Sequence, residues 1–223
     1  MVRFLKSGLR VHSVLLADHR LEELRPYLSE EVPVYTTENS LLSQIVGFHF
    51  HLGVLACGYR PEQRDVSVFG KARTLIVLPE VRHAENLGLI IRSAHALGVD
   101  GVLMSEIGCD PFTRRVIRVS MGSVFSVPVV RSDGLRDQLM RLKREYDYQL
   151  LASVAGKEAV PVNLYRRSNS GRVAVLFGNE PEGLADYWVR LCDKCVTIPM
   201  AEGVDSLNLA VAVGIVMHRL MTV

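Results

Sequence analysis

Short continuous apolar runs alternate with helically spaced apolar positions from residue 74 to the end of the chain. Continuous runs of this kind are typical of strands that are buried on both faces of a parallel sheet. The candidate strands are 74–79, 101–104, 126–130, 148–153, 173–177 and 196–198, and the candidate helices are 86–97, 135–146, 184–192 and 206–220. The alternation predicts an α/β domain with a mostly parallel sheet and helices on both faces. Ligands of such sheets bind beyond the carboxyl ends of the strands.

The first part of the chain has a different, shorter pattern. Its candidate strands are 12–17, 32–35 and 53–57, and its helical patterns are 18–27 and 38–46. This order predicts a small α/β domain over residues 1–68. Polar, turn-rich sequence on both sides of residues 66–69 predicts a linker there, so the larger domain is expected to span 74–223.

The last predicted helix is apolar almost all round, which indicates burial on several sides. Asp205, Ser206 and Asn208 stand at its beginning. Polar groups in apolar surroundings need partners, and a ligand or a helix cap can supply them. Ser206 is a common N-cap type, so a helix that begins there is the simpler interpretation of the segment taken alone.

Composition and charge narrow the possible classes of protein. Hydrophobic residues are 48% of the 223, enough for a sizeable core, and the net charge of +2 does not by itself indicate a nucleic-acid partner. The four cysteines are few and irregularly spaced, which favours reduced thiols in a cytoplasmic protein. The pair Cys192 and Cys195 lacks the second ligand pair of a structural zinc site, so free thiols are predicted. No apolar run approaches the roughly 20 residues of a membrane span.

The helix predicted over residues 86–97 carries an unusual arginine. Asn86 is a suitable N-cap, and Gly98 is suited to the C-terminal end. Arg92 lies almost opposite the apolar stripe, among small and apolar neighbours. Its planar guanidinium would suit a phosphate or carboxylate beside a cleft. An exposed or ion-paired arginine is an equally good interpretation of the helix alone.

Two further segments carry candidate chemistry. Gly178, Asn179 and Glu180 follow the strand 173–177, but they form neither a Walker loop nor the three-glycine dinucleotide fingerprint. Taken alone, this segment is best explained as a tight strand-to-helix turn. Arginines 114, 115 and 118 precede a Ser-x-Gly turn and suit either phosphate contacts or a solvated helix face.

Read together, three of these segments resemble the SpoU (TrmH) family of RNA ribose methyltransferases, within the SPOUT class. The residues that carry the resemblance are Asn86, Gly88, Arg92, Ala94 and Gly98 for the first motif, Gly178, Asn179, Glu180 and Gly183 for the second, and Ile198, Pro199, Met200, Gly203, Ser206, Leu207 and Asn208 for the third. The likeness covers residues 74–223. The first part weakly resembles the family's ribosomal-protein-like RNA-binding domain and is expected to be shortened at its N-terminus. The chain departs from the family at residues 83–84, His-Ala in place of Asp-Pro, and at Pro181 in place of Gly.

The resemblance implies a C-terminal trefoil knot, S-adenosylmethionine as methyl donor, no metal, and a homodimer whose active site uses both chains. The implied reaction is methylation of a ribose 2′-hydroxyl of ribosomal or transfer RNA. The implied donor-binding residues are Gly178, Asn179, Ile198, Met200, Ser206 and Leu207, and the implied catalytic residues are Asn86, Arg92, Glu180, Ser206 and Asn208. Because arginine stays protonated, Arg92 is expected to hold an RNA phosphate and to stabilise the developing alkoxide rather than to act as a base.

Three alternatives stay open from the sequence. A non-catalytic RNA-binding protein of the same fold would not bind the donor. An unrelated α/β enzyme with a nucleotide cofactor would lack the knot. A SPOUT enzyme that methylates a base is disfavoured by the Ser206-Leu-Asn208 motif.

Overall fold

The computed structural model describes residues 1–156, 158–167, 171–179 and 182–222. The chain forms two compact units, a smaller one over Met1–Glu62 and a larger one over Gln63–Val223. Within the described residues, no helix is long and apolar enough to cross a bilayer.

The smaller unit contains a three-stranded sheet among its described residues, in the order β2-β1-β3. Its strands are β1 (Val11–Ala17), β2 (Val34–Thr37) and β3 (Val54–Gly58), and its helices are α1 (Val2–Leu5), α2 (Leu21–Leu24) and α3 (Asn39–Val46). Strand β1 pairs parallel with β2 and antiparallel with β3. The helix predicted over 18–27 is instead one α-helical turn between two 3₁₀ turns. Pro26 has no N–H for an intrahelical bond, which explains why the helix stops.

The larger unit contains a seven-stranded parallel sheet within the part of the chain described, in the order β6-β5-β4-β9-β7-β10-β8. Its strands are β4 (Thr74–Leu78), β5 (Gly101–Ser105), β6 (Val129–Ser132), β7 (Gln149–Ser153), β8 (Val160–Pro161), β9 (Val173–Phe177) and β10 (Lys194–Thr197). Its helices are α4 (Ala84–Leu97), α5 (Arg114–Val119), α6 (Leu135–Tyr146), α7 (Asp186–Leu191) and α8 (Leu209–Met221). The predicted α/β class with a mostly parallel sheet is confirmed.

Helices cover both faces of this sheet with separate apolar clusters. Residues of α4, α5 and α8 form one cluster, and residues of α6 form the other together with partly buried residues of α7. Helix α4 packs closely on α5, since a Cβ at Gly88 would lie 2.6 Å from Val119 Cβ. The two clusters bury the strands from both sides, which explains their continuous apolar sequences.

The segment predicted to be a linker belongs to the core of the larger unit. Residues Val66–Phe69 form a 3₁₀ turn, and the side chains of Val66 and Phe69 are fully buried. The hydroxyl of Tyr148 shares its single hydrogen between two acceptors, the carbonyl oxygens of Phe69 at 3.0 Å and Ala72 at 2.8 Å. The linker prediction was therefore wrong at these residues, because their burial depends on contacts far along the chain.

The C-terminal helix is tied to the segment that leads into β9. Arg167 donates from Nη2 to the carbonyl oxygen of Leu220 at 2.7 Å and to Thr74 Oγ1 at 2.9 Å. Arg219 donates to the carbonyl oxygen of Asn163 at 3.0 Å. Strand β10 lies between β7 and β8, although β8 precedes it in the chain. This arrangement is consistent with the trefoil knot, which stays a prediction.

Candidate active site

A cavity of about 670 Å³ lies beyond the carboxyl ends of β7, β9 and β10 in the larger unit. The residues that line it are Ser153, Val154, Ala155, Phe177, Gly178, Asn179, Glu182, Gly183, Leu184, Thr197, Ile198, Met200, Asp205, Ser206, Leu207, Asn208, Leu209 and Ala212. Its volume falls within the roughly 300–1,000 Å³ of small-molecule sites. The position is the one expected for ligands of parallel sheets.

The turn after β9 requires glycine at its first position. The N–H of Gly183 donates to the carbonyl oxygen of Asn179 at 3.0 Å, which brings the two ends of the turn together. A Cβ at Gly178 would lie 2.0 Å from the carbonyl carbon of Gly183 and 2.1 Å from the nitrogen of Leu184. Backbone atoms cannot rotate away as a side chain would, so glycine at position 178 permits the turn that forms this wall of the cavity.

Asn179 presents an amide to the cavity. Its Nδ2 donates to Glu80 Oε2 at 2.9 Å, and its Oδ1 is buried without a hydrogen-bond partner among the described residues. Glu180, predicted to be catalytic, lies outside the described residues.

The third predicted motif lines the opposite side of the cavity. Ile198 and Met200 follow β10, and Ser206 and Leu207 precede α8. The helix begins at Leu209, with Asn208 as its N-cap: Asn208 Oδ1 accepts from the N–H groups of Ala210 at 2.9 Å and Val211 at 3.3 Å. A helix beginning at Ser206 was therefore a wrong prediction. Asparagine caps at least as well as serine, and Ser206 is left exposed at the cavity.

Asn208 also joins the first and third motifs. Its Nδ2 donates to Asn86 Oδ1 at 3.1 Å, and Asn86 is only 7% exposed. Because the cap already engages Asn208 Oδ1, the orientation of this amide is fixed from both sides. Asn86 is the third residue of α4 and not its N-cap, which is His83, so the predicted helix start was wrong. Gly98 does end α4, with a φ of 72°.

We expect the replacement of Asn208 by alanine to lower the free energy of unfolding by about 1–2 kcal/mol, since a cap and a side-chain hydrogen bond are lost together. Denaturant unfolding would measure the change. Ser206→Ala is the matched comparison and should stay within about 0.5 kcal/mol, because Ser206 caps no helix. Equal losses in the two variants would contradict the assignment of the cap.

Arg92 does not line the cavity of its own chain. It is exposed on α4, and no hydrogen bond or ion pair joins it to another of the described residues. The buried positions of α4 include Leu87, Ile90 and Ile91, so the predicted apolar stripe is confirmed. An exposed arginine without a protein partner keeps all its donors available for a ligand.

The predicted cluster of arginines 114, 115 and 118 and the cysteines occupy ordinary surface or core positions. Arg115 lies in α5 and pairs with Glu85 at 2.6 Å, which fits the solvated helix interpretation. Cys192 and Cys195 form no disulfide bond. Burial raises the pKa of the Cys192 thiol to about 12, which disfavours the reactive thiolate.

Sequence reasoning missed two parts of the site. Ser153 at the end of β7 lines the cavity, together with Val154 and Ala155 directly after the strand. Glu80 follows β4 and holds the amide of Asn179. Both lie at carboxyl ends of predicted strands, and that position was the signal available in the sequence.

Three kinds of comparison with known proteins, by family profile, by sequence and by structure, agree with one another. The profile of the SpoU rRNA Methylase family matches residues 73–218. An uncharacterised tRNA/rRNA methyltransferase of Mycobacterium bovis is 37% identical over 221 residues, covering 97% of this chain and 76% of that protein. A 23S rRNA (guanosine-2′-O-)-methyltransferase of Acinetobacter baylyi is 28% identical, covering 91% of this chain and 84% of that protein. The crystal structure of an AdoMet-bound rRNA methyltransferase from Sinorhizobium meliloti superposes with a TM-score of 0.85 at 25% identity, covering 99% of this chain and 84% of that one.

Proposed function

Because the chain belongs to the SpoU rRNA methylase family, we propose that it transfers a methyl group to a ribose 2′-hydroxyl of ribosomal or transfer RNA. It is an RNA methyltransferase, and its methyl donor is S-adenosylmethionine. The observation that carries the proposal is the convergence of the second and third motifs on one cavity, with Asn208 of the third motif bonded to Asn86 of the first.

The residues around the cavity fit this donor. The glycine turn at Gly178 leaves room where any side chain would collide with backbone. The buried Oδ1 of Asn179 is an acceptor that still lacks a donor among the described residues. Apolar groups such as Ile198, Leu207 and Leu209 exclude water from the same space. Gly178, Asn179, Ile198, Met200, Ser206 and Leu207 remain our proposed donor-binding residues.

S-adenosylmethionine would supply a methyl group carried on a positively charged sulfur. The ribose 2′-oxygen would bond to the methyl carbon as the carbon–sulfur bond breaks, with release of S-adenosylhomocysteine and of the hydroxyl proton. In our proposal, Asn208 and Asn86 orient the reacting groups, since their amides are already fixed by hydrogen bonds. Ser206, exposed at the cavity, contacts the RNA or the donor. The guanidinium of Arg92 holds a phosphate beside the attacked ribose and stabilises the negative charge that develops on its oxygen. Glu180 keeps the catalytic role that the resemblance implies.

We further propose that the enzyme is a homodimer and that Arg92 serves the cavity of the partner. Two observations support this. Arg92 is absent from the lining of its own cavity, and the exposed faces of α4 and α8 carry the apolar side chains Leu89, Val211 and Ile215. Exposed apolar groups on packed helices are typical of protein interfaces, and a two-fold contact would repeat any such placement in both subunits.

For the smaller unit, Met1–Glu62, we propose the role of a substrate-binding domain for RNA. Its exposed aromatic residues Tyr35, Phe48 and Tyr59 suit stacking on unpaired bases, and Arg10 lies 4.2 Å from the ring centre of Tyr59. Since the relatives named above are bacterial RNA methyltransferases, we propose that this enzyme acts on RNA in the cytoplasm.

The test is incubation of the protein with S-adenosylmethionine carrying a labelled methyl group, together with ribosomal or transfer RNA from cells that lack the gene. The label should appear on either ribosomal or transfer RNA. The phosphodiester bond next to the labelled nucleotide should resist alkaline cleavage, because a 2′-O-methyl group blocks the hydroxyl that would attack the adjacent phosphate. Label on a base would overturn the ribose assignment. Transfer to neither RNA class would overturn catalysis, and a failure to bind the donor as well would favour the RNA-binding alternative.

A further inference from the structure

The end of β4 holds a carboxylate whose contacts lead into the cavity. Glu80 Oε2 accepts from Asn179 Nδ2 at 2.9 Å, and Glu80 Oε1 accepts a hydrogen bond from Arg82 Nε. The side chain of Glu80 is 26% exposed, whereas that of Arg82 is 64% exposed. Glu80 does not itself line the cavity, but its hydrogen bond to Asn179 connects it to a residue that does.

Glu80 determines which way the amide of Asn179 faces. A carboxylate offers only acceptors, so the asparagine must turn its NH₂ group toward Glu80 and its carbonyl oxygen away from it. A rotated amide would set two acceptors against each other. The orientation therefore follows from the chemistry of the pair and not from a choice between similar atoms. Arg82 engages the other carboxylate oxygen, which holds Glu80 in place from the opposite side.

The consequence of this orientation is a buried acceptor at the cavity. Asn179 Oδ1 is inaccessible to solvent and has no hydrogen-bond partner among the described residues. Buried carbonyl oxygens in folded proteins nearly always have a partner. Asn179 also lines the cavity, so a molecule bound there is the candidate for the missing donor.

We propose that Glu80 is a positioning residue for the methyl donor. It fixes Asn179 so that Oδ1 accepts a hydrogen bond from an N–H or O–H group of bound S-adenosylmethionine. This inference rests on the proposed function, since it takes the methyl donor as the ligand of the cavity. The Arg82–Glu80–Asn179 chain acts on binding of the donor and not on the chemical step.

A double-mutant cycle read out by donor binding tests the proposal. Glu80→Gln keeps the shape of the side chain but leaves one carbonyl for which Arg82 and Asn179 compete. The dissociation constant for S-adenosylmethionine, measured by calorimetry, should rise about fivefold to tenfold, the effect of one hydrogen bond. In an Asn179→Ala background, Glu80→Gln should have no further effect, because the hydrogen bond through which it acts in our proposal has been removed. The KM for the donor should follow the dissociation constant, with kcat nearly unchanged.

Glu85→Gln is the matched control, since Glu85 also pairs with an arginine but has no hydrogen bond or ion pair to a described residue of the cavity lining. It should bind the donor like the wild type, and all variants should unfold at similar temperatures. Unchanged binding in Glu80→Gln would overturn the inference, as would an equal loss in the Asn179→Ala background, which would indicate a general structural effect. A wild-type protein that binds no S-adenosylmethionine would instead overturn the proposed function, and the inference with it.

Discussion

Arg92→Ala is expected to lower methyl transfer to RNA by about 10²- to 10³-fold, the usual cost of removing one donor that stabilises a developing oxyanion. Binding of S-adenosylmethionine should not change, because in our proposal Arg92 holds the RNA phosphate and the attacked oxygen and does not contact the donor. The stability should change by no more than about 0.5 kcal/mol, since the side chain is exposed and bonds to none of the described residues.

Single-turnover methylation measures this effect directly, with calorimetry and thermal unfolding as the companion measurements. Arg92→Lys keeps the charge but not the planar fork, so it should recover only part of the activity. Arg136→Ala is the control, because Arg136 is an exposed arginine of α6, on the opposite face of the sheet. A rate near that of the wild type in Arg92→Ala would refute the assignment.

Co-expression of two inactive variants tests whether Arg92 serves the partner's cavity. A heterodimer of Arg92→Ala with Gly178→Ala would carry both defects at one site and neither defect at the other. Part of the methyltransferase activity should therefore return when the two variants are co-expressed. If Arg92 instead serves its own cavity, each site of the heterodimer keeps one defect and the mixture stays inactive.

Gly178→Ala should abolish measurable donor binding and destabilise the larger unit. The added methyl group would lie about 2 Å from the backbone of Gly183 and Leu184, so the turn has to open. Overpacking of this kind typically costs about 1–3 kcal/mol. Opening the turn also removes the 3.0 Å hydrogen bond between Gly183 and Asn179 and displaces a wall of the cavity.

Calorimetric titration with S-adenosylmethionine and thermal unfolding separate the two effects of Gly178→Ala. The control is Gly156→Ala, which makes the same chemical change close to the cavity at a position where a Cβ would meet no atom within 4 Å. The control should bind and unfold like the wild type. Donor affinity at the wild-type level in Gly178→Ala would show that the turn is not part of the binding site.

Local sequence patterns predicted many element bounds closely. The strand 173–177 and the helix 135–146 were predicted to the residue, because continuous apolar sequence and helical spacing are local properties of the chain. Errors occurred where two local solutions were similar in energy. Ser206 and Asn208 are both good caps, and the helix uses the second, which is also bonded to Asn86.

The motif spacing of the chain was enough to indicate the SpoU family, a parallel α/β sheet and a site at the carboxyl ends of its strands. It did not indicate that Val66 and Phe69 are core residues, or that residues 153–155 complete the cavity. The tertiary structure alone decided these points, together with the orientations of the two amides. Asn86 and Asn208 are 122 residues apart in the chain, and Glu80 and Asn179 are 99 apart. Hydrogen bonds over such separations depend on which strands become neighbours in the sheet, and no local pattern of hydrophobic and polar residues contains that information.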